Sequence, residues 1–101
     1  MARDWKYALV ERERRFLLAG VPSEPPVRVV DIVHRYLERS RIGLRAATTV
    51  EGESRGTTQY KLRQKVPPPE GGPGLITTLY LDADEHCLFD ALPGAVLRKT
   101  V

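Results

Sequence analysis

At 101 residues the chain has room for one domain, with a core near the small end of what folds alone. Its 42% hydrophobic and 29% charged residues are the ordinary balance of a globular protein, and no apolar run approaches the ~18 residues a membrane helix needs. The net charge of +3 suits an anionic ligand without requiring one, and a single cysteine, Cys87, excludes an intrachain disulfide framework.

The N-terminus is charged as far as Arg15 and has no apolar core of a secretory signal, so the expectation is a soluble, cytoplasmic protein. Residues Lys6–Leu18 (KYALVERERRFLL) alternate so that Tyr7, Leu9, Glu11, Glu13, Arg15 and Leu17 share one face of a strand, with a helix as the competing reading. Gly20, Pro22, Pro25 and Pro26 then break the chain. Val27–Leu37 is β-branched and reads as a strand, and Arg41–Val50 as the next. A polar turn over Glu51–Gly56 leads into Thr57–Val66, where Lys61, Arg63 and Lys65 alternate with Tyr60, Leu62 and Val66; these two strands form a hairpin. Pro67–Gly74 is a loop and Leu75–Leu81 a strand. Asp82 three residues before Glu85 is a helix-start signature, predicting a short helix over Ala83–Leu92, and Ala95–Val101 reads as a last strand. The pattern is about six mostly antiparallel strands and one helix, an all-β to β-rich α+β domain.

Three constellations carry chemistry. Glu11 and Glu13 point the same way along a strand, with Arg15 following; two neighbouring carboxylates repel unless a cation sits between them, and Mg²⁺ or Mn²⁺ takes such oxygen ligands. Lys61, Arg63 and Lys65 form a cationic row whose cost is lifted by water or an anion. Arg41 and Arg45 share a face of the preceding strand and would lie beside that row if the hairpin closes. From spacing alone, a solvated charged face explains each equally well. Gly71-Gly72-Pro73-Gly74 lacks the Lys-Ser/Thr of a P-loop, and His34, His86 and Cys87 have no metal-ligand spacing. Tyr36, Tyr60, Tyr80, Phe16 and Phe89 read as core.

Four stretches, in order along the whole chain, resemble the CYTH superfamily of triphosphate tunnel proteins. VERERRFLL (Val10–Leu18) looks like the opening ExExK motif, with Glu11, Glu13 and Arg15 on its three positions and Arg in place of Lys. HRYLERSRIGLR (His34–Arg45) is similar to the family's DxYLxxTRLRLR stretch, and QYKLRQK (Gln59–Lys65) to YKLTxK. Ile76–Thr100 resembles the ITT-x-YL segment, short helix, LPG and LxKT that follow.

The resemblance implies an eight-stranded antiparallel barrel lined with inward charges, of which this chain would be the N-terminal half, truncated at its C-terminal end. It implies that Arg15, Arg41, Arg45, Lys61, Arg63, Lys65 and Lys99 hold the phosphates, and that Glu11 and Glu13 hold a divalent metal, Mg²⁺ or Mn²⁺. The ligand would be inorganic triphosphate or a nucleoside or other organic triphosphate, and the family's activities include its hydrolysis. Departures are Gly43 where the family's strand carries a tunnel arginine, His34 for Asp and Ser40 for Thr. They leave open a non-catalytic phosphate-binding or structural remnant and, further off, a single-stranded nucleic-acid binder on the basic face. An open half-barrel with unpaired edges is expected to pair with a second copy as a homodimer.

Overall fold

The computed structural model describes residues 7–26, 28–51, 54–68 and 71–101. The chain folds into one open antiparallel sheet of six strands with a single short helix. The strands are β1 (Leu9–Val10), β2 (Val29–Leu37), β3 (Ile42–Glu51), β4 (Ser54–Val66), β5 (Leu75–Leu81) and β6 (Gly94–Thr100), and the helix α1 spans Ala83–Asp90. In the sheet their order is β1-β5-β4-β3-β2-β6, so consecutive strands from β2 to β5 meander and β6 returns across α1 to flank β2. No helix among the described residues is long and apolar enough to cross a membrane.

The long hairpin β3–β4 is the centre of the sheet. Its register pairs Arg45 with Lys61 and Gly43 with Arg63, as expected, but the strands run on through the stretch read as a turn, Glu51 pairing with Ser54 after an irregularity between Thr48 and Val50. Gly52 and Glu53 lie outside the described residues, as do Lys6 and Val27 of the predicted first two strands and Pro69 and Glu70 of the loop. At the opposite end, the β2–β3 turn places Arg39 at φ 59°, in the left-handed region that a non-glycine residue seldom enters. The hydroxyl of Ser40 donates to the Leu37 carbonyl (2.8 Å) and accepts from the Ile42 amide (3.0 Å), closing this turn.

Two expectations are corrected. The first strand is two residues long, not thirteen: the Glu11 amide still donates to the Gly74 carbonyl (2.8 Å), but residues 11–18 form neither strand nor helix. The reason is the lack of a partner, since β5 begins at Leu75 and the chain before it is a Gly-Pro loop that offers no ladder. The helix stops at Asp90, two residues short of the prediction. Its start is as expected: Asp82 accepts from the Glu85 amide (2.8 Å) while the Glu85 carboxylate accepts from the Asp82 amide (2.9 Å), a capping box.

Side chains alternate across the sheet. One face carries Leu44, Tyr60, Leu62, Leu79 and Leu81 and packs against α1, where the rings of Tyr60 and His86 lie 4.6 Å apart and Arg35 reaches Asp90 at 3.2 Å. Among the described residues the buried hydrophobics are Ile32, Leu44 and Val66. Tyr36, Tyr80 and Phe16 are exposed, against the expectation that they are core; Tyr60 and Phe89 are half-buried. Tyr36 and Tyr80 are in register with Gly43 and Lys61, which puts them on the other, charged face.

Candidate functional site

The face opposite α1 is assembled by register alone. Arg45 on β3 pairs with Lys61 on β4 and with His34 on β2, and His34 in turn pairs with Leu97 on β6. Two residues along, Gly43 pairs with Arg63 and Tyr36, and Lys99 on β6 pairs with Ile32. Partners in an antiparallel ladder point to the same side, so Arg45, Lys61, Arg63, Lys65 and Lys99 all project from one face. This is the side on which the parity of β4 places its cationic row.

A cleft of about 430 Å³ opens on this face. Its walls include Arg45, Arg63, Lys65, Lys99, His34 and Tyr36, with Glu11, Arg12, Glu13 and Arg15 along one side. The segment after β1 therefore brings both predicted carboxylates to the cationic face without being a strand. A second hollow of about 300 Å³ adjoins it toward the β2–β3 turn and shares His34, Tyr36, Arg63 and Lys65, adding Ser40, Arg41, Ile42 and Gly43. Arg41 itself precedes β3 and lines only this second hollow. Of the sequence-predicted residues, Glu11, Glu13, Arg15, Arg45, Arg63, Lys65 and Lys99 meet in the main cleft; Lys61 neighbours them through Arg45, and Arg41 stands apart.

Positive charge outweighs negative here, and the ionisation of the side chains shows it. Partial burial, then the neighbouring Arg45 and Arg63, lower the Lys61 ammonium below its ordinary value. Burial and then Arg63 lower Arg45 in the same way, and Arg45 Nε is buried without a hydrogen-bond partner among the described residues. Burial, then Arg45 and Arg63, push the His34 imidazole down. On the rim the carboxylates are held by cations: Lys65 Nζ lies 3.4 Å from Glu11, and Arg15 Nε donates to Glu13 at 2.9 Å. That hydrogen bond, with the charge of Arg15 behind it, keeps the Glu13 carboxyl below the usual range.

Among the described residues no group of three or more His, Cys, Asp or Glu side chains is arranged to hold a metal. Glu11 and Glu13 nevertheless both face the cleft, and a pair of carboxylates is a donor set that Mg²⁺ uses when phosphate oxygens and water complete its shell.

His34, Tyr36 and Arg12 are the cleft residues that sequence reasoning missed. The alternation Ile32, His34, Tyr36 in β2 was the signal for two of them, but it points to the cleft only once the β2–β3 register is known. Lys61 Nζ sits 5.3 Å from the centroid of the Tyr80 ring, which the β4–β5 register places on this same face.

No family model, no curated protein and no solved structure matches the chain.

Proposed function

We propose that this protein binds a triphosphate in the cationic cleft, as one wall of a CYTH-type tunnel. The observation that carries the reading is the convergence of Arg45, Lys61, Arg63, Lys65 and Lys99 on one sheet face, with Arg45 Nε buried and unpartnered. Like charges on adjacent strands repel, and a buried donor without an acceptor is costly. An anion carrying several negative charges at phosphate spacing relieves both. The guanidiniums of Arg45 and Arg63 offer paired donors to phosphate oxygens, and Lys65 and Lys99 offer point charges.

Glu11 and Glu13 fit a divalent ion arriving with the phosphate, exchanging their present partners Lys65 and Arg15 for it. Such an ion supplies charge neutralisation of the phosphates. The released Lys65 is then free to face a phosphate oxygen. The ligand class is inorganic triphosphate or an organic triphosphate; hydrolysis to release phosphate is the corresponding activity, favoured by the same positioning of charge.

Thermal melting with tripolyphosphate tests the reading. A ligand present at about a hundred times its Kd stabilises the folded chain by about 2.7 kcal/mol, which for a domain of this size raises the midpoint by roughly 10 °C or more. Glu11→Ala with Glu13→Ala removes the added effect of Mg²⁺, whereas Lys65→Ala weakens binding with and without the metal. A melting curve that millimolar tripolyphosphate leaves in place rules the binding out.

A further inference from the structure

We infer that His34 is an anion ligand of the cleft that takes up a proton when a polyanion binds, making affinity stronger at low pH; this rests on the polyanion reading of the cleft. The argument begins at Gly43. The side of β3 that faces the cleft bears Arg45 and, two residues earlier, a glycine, which pairs with Arg63 on one side and Tyr36 on the other. This centre of the cationic face has no side chain of its own.

The space above it belongs to His34. A Cβ built on Gly43 collides with His34 Nε2 and lies 2.8 Å from Cε1. The ring is held over the β3 backbone from its own strand by Tyr36, with centroids 4.2 Å apart and planes tilted by 38°. An imidazole edge is thus delivered from β2 into the gap that β3 leaves among the cations. His34 also borders both hollows, so its ring faces the volume a ligand would fill.

Every element around the ring bears on its charge. On its own strand the neighbour is Tyr36; β3 contributes Arg45, and β4 contributes Arg63 and Lys65. From β6 comes Lys99, and the segment after β1 places Glu11, Arg12, Glu13 and Arg15 along the same cleft. The cations dominate, and burial adds to them, so the ring is neutral more readily than a free imidazole. A polyanion reverses the balance. It neutralises the surrounding cations and offers oxygens to which a protonated imidazole donates.

The sign follows from linkage. A ligand that raises a group's pKa binds most tightly below the ligand-free pKa and loses that gain as pH rises through the ligand-bound pKa. Because the empty cleft depresses His34, the gain develops on the acid side of neutrality. Each unit of upward shift multiplies affinity about tenfold between the two limits.

The chain has two histidines, His34 and His86, and His86 sits on α1 against the other face, so it serves as an internal control. The imidazole C–H resonances are titrated by NMR with and without excess tripolyphosphate, with no divalent metal. The expected result is a rise of about one unit or more in the His34 midpoint and none in that of His86. Since tripolyphosphate itself titrates near neutrality, its affinity is also measured at about pH 6 and about pH 8 for the wild type and His34→Gln. The wild type should gain about tenfold more than the variant on acidification. An unmoved or lowered His34 midpoint, or equal pH profiles for the two proteins, overturns the inference and leaves the polyanion reading standing. No binding at either pH overturns both.

Discussion

At the scale of single residues, the cleft is built at the expense of stability. Lys61 is the clearest case: it is flanked by Arg45 and Arg63, partly buried, and drawn toward its neutral form by these surroundings. Replacing it with Gln removes a repulsive charge, so Lys61→Gln is expected to melt higher than the wild type without ligand and to bind tripolyphosphate more weakly. A thermal scan with and without tripolyphosphate reads both effects, and their opposite signs distinguish a binding cation from a merely solvated one. Gly43 supplies the second case. Gly43→Ala forces a methyl group into the His34 ring and should cost about 1–3 kcal/mol. Adding His34→Ala removes the obstacle, so the double variant should recover most of the loss, and chemical denaturation of the four proteins in this cycle measures the coupling. If Gly43→Ala costs as much without the imidazole as with it, the ring is not what fills the space. The sequence marked Gly43 and His34 as two separate departures from a family pattern; the fold makes them one feature, since the histidine occupies the volume the glycine leaves open.

Among the elements, β4 was the most legible, because Lys61, Arg63 and Lys65 alternate with Tyr60, Leu62 and Val66 and no other periodicity fits. The capping box at Asp82 was equally plain, being written in two residues at fixed spacing. The stretch Glu11–Leu18 was not legible: its alternation is as regular as that of β4, yet β-structure needs a neighbouring strand, and beyond Gly74 none is in place. Glu13 and Arg15 instead satisfy each other locally. The tyrosines misled for a related reason, because hydrophobicity does not say which face a residue occupies, and Tyr36 and Tyr80 were assigned to the cleft only by strand register. The β2–β6 contact was hidden too, since a pairing across 60 or so residues leaves no local trace. That contact depends on Gly94, where a Cβ would collide with the Tyr36 carbonyl oxygen and lie 2.8 Å from its carbon. Backbone cannot swing aside as a side chain can. Gly94→Ala is therefore expected to cost about 3 kcal/mol or to detach β6, and with it Lys99 from the cleft, which a loss of amide protection confined to β2 and β6 would reveal.

The molecule as a whole is more open than its length requires. Its radius of gyration is 15.9 Å, against about 13 Å for a compact domain of 100 residues. Among the described residues three hydrophobics are buried, while Leu79, Leu88, Leu92, Val96 and Leu97 are each more than 40% exposed. So small a core leaves little margin over the entropy of ordering the chain. The outer edge of β6 is also open, since its ladder runs to β2 alone among the described strands, and an unpaired edge is a template for another strand. A second copy fits it: if two β6 strands pair antiparallel about a twofold axis at Leu97, Val96 meets Arg98 and Ala95 meets Lys99 of the other chain. The cations then face small or apolar residues and not each other, which is the arrangement a self-pairing edge requires. We predict that the chain is a dimer at tens of micromolar. Light scattering should give twice the 11.4 kDa chain mass, and Leu97→Lys, which sets two like charges on the axis, should return it to the monomer. A cooperative melt from an 11.4 kDa wild-type monomer would show instead that the open sheet is self-sufficient.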